Sequence, residues 1–533
     1  MSLHQFEQGA RDTTWHSVAP TIHSIDTCND SVKDEGKVTQ CCSRCARSYS
    51  SSETLLQCAA PSPTKEVQSW LVDFDGPDDP LKPINFRQRD KFLIIGLTAA
   101  CTFCVSFASS IFSTCTKVTA EEFGVSEEVM ILGVSLYVLG FAFGPMLWGP
   151  LSERFGRFYP IFTGLTLFVI CQIPLALAQN LQTVLVSRFL AGLFGAAPLG
   201  VTSAIYVDML HIVDRGVAMS VFAAAVFLGP VLGPIMGSLI VHSHLGWRWT
   251  AWVTMIISGV FTLLGMFFVK ETSEPIILQK MATKKRLETK EWAWHAKLDE
   301  SPFTFKAVAQ RYLLKPVRII LREPILVAVT AYISLVYSIL YAIFFAYPVA
   351  FRMIRGWEPV MASLPFLGIM VGIIIACISM GVDARTRYAR ILKKNGKISP
   401  EDRLLPMIVG GFSLPIGLFW FAWTSHPNIT FWPQVISGVF IGAGITSVFF
   451  NGVIYIADVY LSNVASAIAA NGFVRGVSAA SVLLFTPYMY RALGVAWATS
   501  LLGFFSMAMV PIPIIFYYYG RRLREKGTFS FAL

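Results

Sequence analysis

Charge is what this sequence has least of. Only 14% of its 533 residues are Asp, Glu, Lys or Arg, where an ordinary soluble domain carries roughly 25%. By contrast 54% are hydrophobic, and mean hydropathy is +0.57. A water-soluble fold is excluded by that balance, and a polytopic membrane protein is expected. Other absences narrow the function. No Gly-rich loop ending in Lys-Ser or Lys-Thr is present, so direct use of ATP is not expected. No motif that reads a groove or stacks bases accompanies the net charge of +10, so nucleic acid is not an expected partner. The tail cysteines Cys28, Cys41, Cys42, Cys45 and Cys58 lack a second CxxC or an HxxxH. Reduced thiols are the plain reading, with palmitoylation or adventitious metal the alternatives. No cofactor, metal site or catalytic constellation is expected. The start, MSLHQFEQGARDTTWH, lacks the basic end and apolar core of a signal peptide, which places the amino terminus in the cytosol.

What is present is a succession of apolar runs, each near the roughly 20 residues that a bilayer crossing takes. They cover 92–115, 129–150, 159–178, 183–207, 217–241, 249–269, 325–351, 361–382, 404–423, 432–457, 464–490 and 495–519. The expected fold is an all-α membrane protein with twelve transmembrane helices in two six-helix pseudo-repeats. The expected parts are a largely disordered tail (1–90), a first bundle (91–269), a central loop (270–324), a second bundle (325–520) and a short tail (521–533). Lys and Arg crowd the central loop, the Arg154/Arg157 turn, the 385–403 loop and the last tail, whereas the opposite loops are short and the first carries Glu121, Glu122, Glu127 and Glu128. The positive-inside rule then puts the basic loops and both termini in the cytosol.

Within this frame a few residues stand out. The turn GPLSERFGRF (149–158) places Gly149 and Gly156 where a tight turn joins two helices, with Glu153, Arg154 and Arg157 at the same face. Asp208, at the corresponding end of the fourth segment, is positioned to pair with one of those arginines. Such a cluster can latch helix pairs and release them on protonation; the plainer alternative is that it only sets topology. The fourth segment, with Gly192 and AIYVDM ending near Asp208, is echoed by the tenth, with Gly442 and VIYIADV ending near Asp458. Parallel halves of this kind point to a transporter with its substrate site between them near mid-depth.

LGPVLGPIMG (228–237) sets Gly229, Gly233 and Gly237 along one helix face with Pro230 and Pro234 beside them. A bent helix is predicted there, packed backbone to backbone against a neighbour inside the bundle. Arg188 and Arg475 are the charged residues nearest mid-span, where a charge costs roughly 2.5–3.5 kcal/mol on insertion scales. Both should face the interior, either bonding free carbonyls or contacting substrate and coupling to protons. Ser109 and Ser113 of the first segment, with Tyr337 and Tyr341 of the seventh, suit a small amphipathic, often aromatic ligand; they are equally common at helix interfaces. No Asp or Glu lies near mid-span, which disfavours polycations and leaves proton coupling to Glu153, Asp208 or Asp458 at the helix ends.

The 149–158 pattern resembles the loop signature of the major facilitator superfamily. LVSRFLAGLFGAAP, with Arg188 and Gly192, is similar to its fourth-helix motif, and the Gly-Pro stretch to its fifth-helix antiporter motif. VDFDGPDDPLKPINF (72–86), KETSEPIILQK and AIAANGFVRGVSAA narrow the resemblance to fungal twelve-helix drug:proton antiporters. It extends over roughly 69–520 and leaves out the cysteine-bearing tail. One departure is Phe345, in YAIFFAYPVAF, where members often carry a glutamate. The resemblance implies a monomeric, non-enzymatic exporter of a drug, toxin or secondary metabolite, driven by the proton gradient across the plasma membrane. A vacuolar location is the alternative. An uptake permease, or a membrane sensor that transports nothing, could use the same architecture.

Overall fold

In hydrocarbon every backbone N–H and C=O needs an internal partner, and a helix supplies one within its own segment. The computed structural model describes residues 70–300, 314–396 and 399–525, with residue 527. Its long helices are α1 (Gln88–Ile111), α2 (Glu127–Arg154), α3 (Phe158–Ala176), α4 (Leu181–Met209), α5 (Ile212–Val241) and α6 (Arg248–Phe268) in the first half. In the second half come α7 (Pro324–Tyr347), α8 (Phe366–Asp383), α9 (Leu404–Trp423) and α10 (Trp432–Val459). The run Val464–Met509 follows, 46 residues long, and Pro511–Glu525 continues it. Among the described residues no β-strand forms; Leu71 and His295 make one isolated bridge.

Eleven helical stretches among the described residues are long and apolar enough to span a membrane, and the last covers 62 residues. It makes two crossings rather than one. Gly494 sits at φ 70°, ψ 170°, outside helical space, and the Tyr490 and Thr499 hydroxyls lie 3.1 Å apart across it. Nine residues of straight helix would separate these side chains by about 13 Å along the axis. The segments before and after Gly494 are therefore α11 and α12. α12 runs antiparallel to α9, as contacts of Trp497 with Trp423, Phe504 with Phe419 and Arg524 with Glu401 show. Among the described residues twelve passes result, as expected.

Glycines set the packing inside each half. A Cβ on Gly192 of α4 would lie 2.1 Å from the Tyr137 carbonyl oxygen of α2, and one on Gly442 of α10 would lie 2.2 Å from the Ile369 carbonyl oxygen of α8. The echo between the fourth and tenth segments is thus the same helix contact made twice. Across the halves α2 packs on α11 and α5 on α8. Ser135 donates to the Ala480 carbonyl at 2.7 Å, and Phe143 meets Phe473 edge-on at 5.5 Å. At the end where α1 finishes, Arg491 of α11 reaches Glu128 of α2 at 2.7 Å.

The disordered-tail expectation needs correction at its carboxyl side. Residues 1–69, with the five cysteines, lie outside the described residues, but 70–90 are described, and 70–72 pair with the central loop. Val72 N–H donates to His295 O at 2.9 Å, and His295 N–H to Trp70 O at 3.0 Å. Val72 packs with Ala282 and Ala296, while Trp70 meets Trp294 edge-on at 5.3 Å. The central loop contributes the helix Glu274–Thr289, whose apolar side this segment covers.

Candidate functional site

Two groups of candidate residues are brought together, one at the end where α1 begins and one between the halves. At the first, Arg157 follows the turn made by Gly156, whose φ of +86° suits glycine. Arg157 Nε donates to Asp208 Oδ2 at 2.9 Å, and Nη1 donates to Ser152 Oγ at 3.1 Å. Ser152 Oγ in turn donates to the Gly149 carbonyl at 2.8 Å. Glu271, in the chain after α6, accepts from the backbone N–H groups of Arg157 and Phe158 at 2.8 and 3.1 Å. A carboxylate at a helix N-terminus satisfies orphan donors and meets the positive end of the helix dipole. A Cβ on Gly156 would come within 2.3 Å of that carboxylate, a second reason for glycine here.

The expected pairing of Asp208 is therefore with Arg157. Glu153 and Arg154 lie in the last turn of α2, and Arg154 lines a recess of about 360 Å³ with Tyr159, Lys280 and Arg286. Asp458 does not join the first-half cluster; it pairs with Arg403 at 2.9 Å, through Nε, before α9. The second half repeats the first, Arg403 taking the place of Arg157. Sequence reading missed Arg403 and Glu271. The signal for Arg403 was its place at the start of the ninth helix, matching Arg157 at the third. Arg215, at the start of α5, donates to the Val207 and Leu210 carbonyls at the end of α4, at 3.1 and 3.5 Å.

Replacing Arg157 by Ala leaves Asp208, only 19% exposed, without its cation. Turnover is expected to fall about tenfold, with substrate affinity changed less than threefold; transport kinetics in cells check this, and a raised KM at unchanged turnover contradicts it.

Within the first half, the close backbone packing expected of 228–237 is found. A Cβ on Gly229 would lie 2.7 Å from Phe107 N, one on Gly233 2.0 Å from Ser110 Oγ and 2.9 Å from Ile111 N, and one on Gly237 2.4 Å from Thr114 Oγ1. The neighbour is α1. Pro230 and Pro234 are buried, and α5 continues as one helix through both. Its other side presents Phe227 to Phe449 and Phe450 of α10, with centroids 5.0 and 5.8 Å away.

Arg188 and Arg475 prove unlike. Arg188, 1% exposed, donates to the carbonyls of Gly133 (3.1 Å), Ala108 (2.8 Å) and Ser109 (3.1 Å). Its Cζ also lies 4.3 Å from the Tyr137 ring centroid. The Ala108 and Ser109 carbonyls belong to the last turn of α1, where helical donors run out. Arg188 thus ties α4 to α1 and α2. Arg475 has its guanidinium carbon 4.9 Å from the Tyr337 centroid and 4.7 Å from that of Phe449. Tyr337 OH lies 3.4 Å from Tyr341 OH, which donates to Ser109 Oγ of the other half at 3.1 Å. Ser109, Tyr337, Tyr341 and Arg475 are thus brought together, with Phe449, which sequence reading did not single out. Ser113 is not part of this group: it falls in a 3₁₀ turn, Phe112–Thr114, beyond the end of α1.

Comparison with known proteins agrees with this geometry. Residues 98–482 match the Major Facilitator Superfamily profile. The chain is 47% identical to the citrinin biosynthesis cluster transporter of Monascus ruber, over 91% of this chain and 98% of that one. It is 45% identical to the ascochitine biosynthesis cluster transporter of Didymella fabae, over 88% and 91%, and 42% identical to the cercosporin transporter of Cercospora nicotianae, over 87% and 90%. Among solved structures, the proton:xylose symporter XylE shares the fold, with a TM-score of 0.59 at 16% identity, over 81% of this chain and 96% of that one. The twelve passes, the paired Arg–Asp clusters and the matching profile agree: this chain is a multi-pass membrane protein belonging to the major facilitator superfamily.

Proposed function

We propose that this chain exports a small amphipathic organic compound of secondary metabolism from the cytosol across the plasma membrane, in exchange for protons, as a monomer. Relatives named for citrinin, ascochitine and cercosporin support the compound class. The observation that carries the reading is the aromatic and polar group between the halves. Tyr337, Tyr341, Phe449 and Arg475 face Ser109 there, so a ligand held among them is released when the halves part. Both termini and the Arg157 end lie in the cytosol, as their basic loops support. Asp208 and Asp458 are the proton carriers in this scheme: neutralising either one frees its arginine and loosens that end. A proton entering down 100 mV gains about 2.3 kcal/mol, a sufficient bias for the cycle.

The experiment is accumulation of a panel of labelled amphipathic compounds in a host deleted for its own transporters. Cells making this chain should hold less of at least one compound than control cells. Greater accumulation overturns export in favour of uptake.

A further inference from the structure

Arg475 makes no hydrogen bond or ion pair with any described residue. Its Nε is sealed from solvent without an acceptor, while the residue as a whole keeps some accessible surface. Arg188, at similar depth, has three carbonyls and is closed off. The two arginines therefore answer the same physical demand differently. A guanidinium in the membrane interior is costly unless paired, and a buried N–H without an acceptor costs more than one never brought there.

The surroundings supply orientation but no counter-charge. The Tyr337 and Phe449 centroids are 5.8 Å apart, too close for the cation to sit sandwiched between them. They hold the same flank of it. The hydroxyls of Tyr337 and Tyr341 are taken up in the chain that ends on Ser109. Nearby, Ser338 and Ser478 bond each other at 3.1 Å. Among the described residues, every Asp and Glu within the spans lies near a helix end, as Glu127, Asp208, Asp383 and Asp458 illustrate. Among the described residues no carboxylate is placed to neutralise Arg475.

We infer that the missing partner is the cargo: the exported compound is an organic anion, whose carboxylate or acidic enol or phenol oxygens pair with the guanidinium of Arg475 while its ring system lies on Tyr337 and Phe449. This rests on the export reading and narrows it to aromatic acids. Arginine suits the role because its planar fork takes two oxygens at once and stays charged. A cationic drug is disfavoured at the same place by like charge. Export of an anion also moves charge in the direction that an inside-negative potential favours.

The test is equilibrium binding of tritiated 2-naphthoate and of 2-naphthamide, matched in shape but not in charge, to the full chain in lipid nanodiscs at neutral pH. The wild type is expected to bind the acid at least tenfold more tightly than the amide. Arg475→Gln should bring the acid down to the level of the amide and leave the amide within twofold, whereas Arg475→Lys should keep part of the preference. Thermal unfolding of each variant separates lost binding from lost fold. Equal binding of acid and amide by the wild type overturns the inference, as does failure of both to bind a protein that unfolds cooperatively. So does a folded Arg475→Gln that loses both ligands alike, since that assigns Arg475 to the scaffold. Export itself is judged by the cell assay, where an anionic compound leaving through Arg475→Gln at the wild-type rate would sink the anion site and keep the exporter.

Discussion

Cells producing the Gly233→Leu chain are expected to export no more than cells without it, although the protein reaches the membrane in the wild-type amount. Even a methyl group at Gly233 would sit 2.0 Å from Ser110 Oγ and 2.9 Å from the Ile111 backbone nitrogen. The hydroxyl can rotate away; the α1 backbone cannot. Forcing extra methylenes into a packed interior typically costs about 1–3 kcal/mol, and leucine adds four carbons at a contact with no gap. The cheapest escape is for α5 to move off α1, which also shifts Phe227 against Phe449 and breaks the seal between the halves. Insertion should survive, because leucine raises the hydropathy of the segment. Gly233→Ala should fall between the two, since rotation of Ser110 relieves its worst contact. Efflux per molecule at the cell surface is the measurement, and wild-type efflux by Gly233→Leu would remove this contact from the mechanism.

Arg188→Met should act on the fold before it acts on transport. Methionine fills similar volume but leaves the Ala108 and Ser109 carbonyls at the end of α1 without donors. Each unsatisfied buried carbonyl costs about 1–3 kcal/mol, so a loss of roughly 3 kcal/mol is expected from a total stability of about 5–15 kcal/mol. The positive charge that meets the negative end of the α1 dipole is lost as well. The variant should unfold well below the wild type in detergent and be recovered in low yield. An Arg188→Met protein that melts like the wild type but no longer transports would instead assign Arg188 to the ligand.

These two residues also mark how far the sequence could be read. Glycines recurring every four residues in α5 are a pattern of one helix, so the close-packed face was visible before its partner was known. The arginines were visible as positions, because charge in an apolar run has to be accounted for. Their difference was not visible. Whether carbonyls lie within reach of Arg188 depends on α1 giving way to a 3₁₀ turn at Phe112–Thr114, which hydropathy does not register. Ser113 lies in the same turn, beyond the helix that carries Ser109, which its place in an apolar run did not reveal. Arg403 escaped notice because its half lacks the glycine turn that marked Arg157, although both bond their aspartates through Nε at 2.9 Å. Residues 70–90 read as tail because three apolar residues, Trp70, Leu71 and Val72, are too few to shift the polarity of a window, yet enough to dock a segment on the helix Glu274–Thr289.

Energy coupling is the claim on which the transport cycle depends, and it is the least visible in a membrane interior without carboxylates. The most direct measurement is efflux of a compound found to be exported, followed in preloaded cells before and after a protonophore collapses the proton gradient. Efflux that depends on this chain should stop within the response time of the gradient, and retained compound should rise to the level of cells lacking the chain. Efflux that continues unchanged after the gradient and the membrane potential are gone would contradict proton exchange and leave a passive facilitator of the same fold.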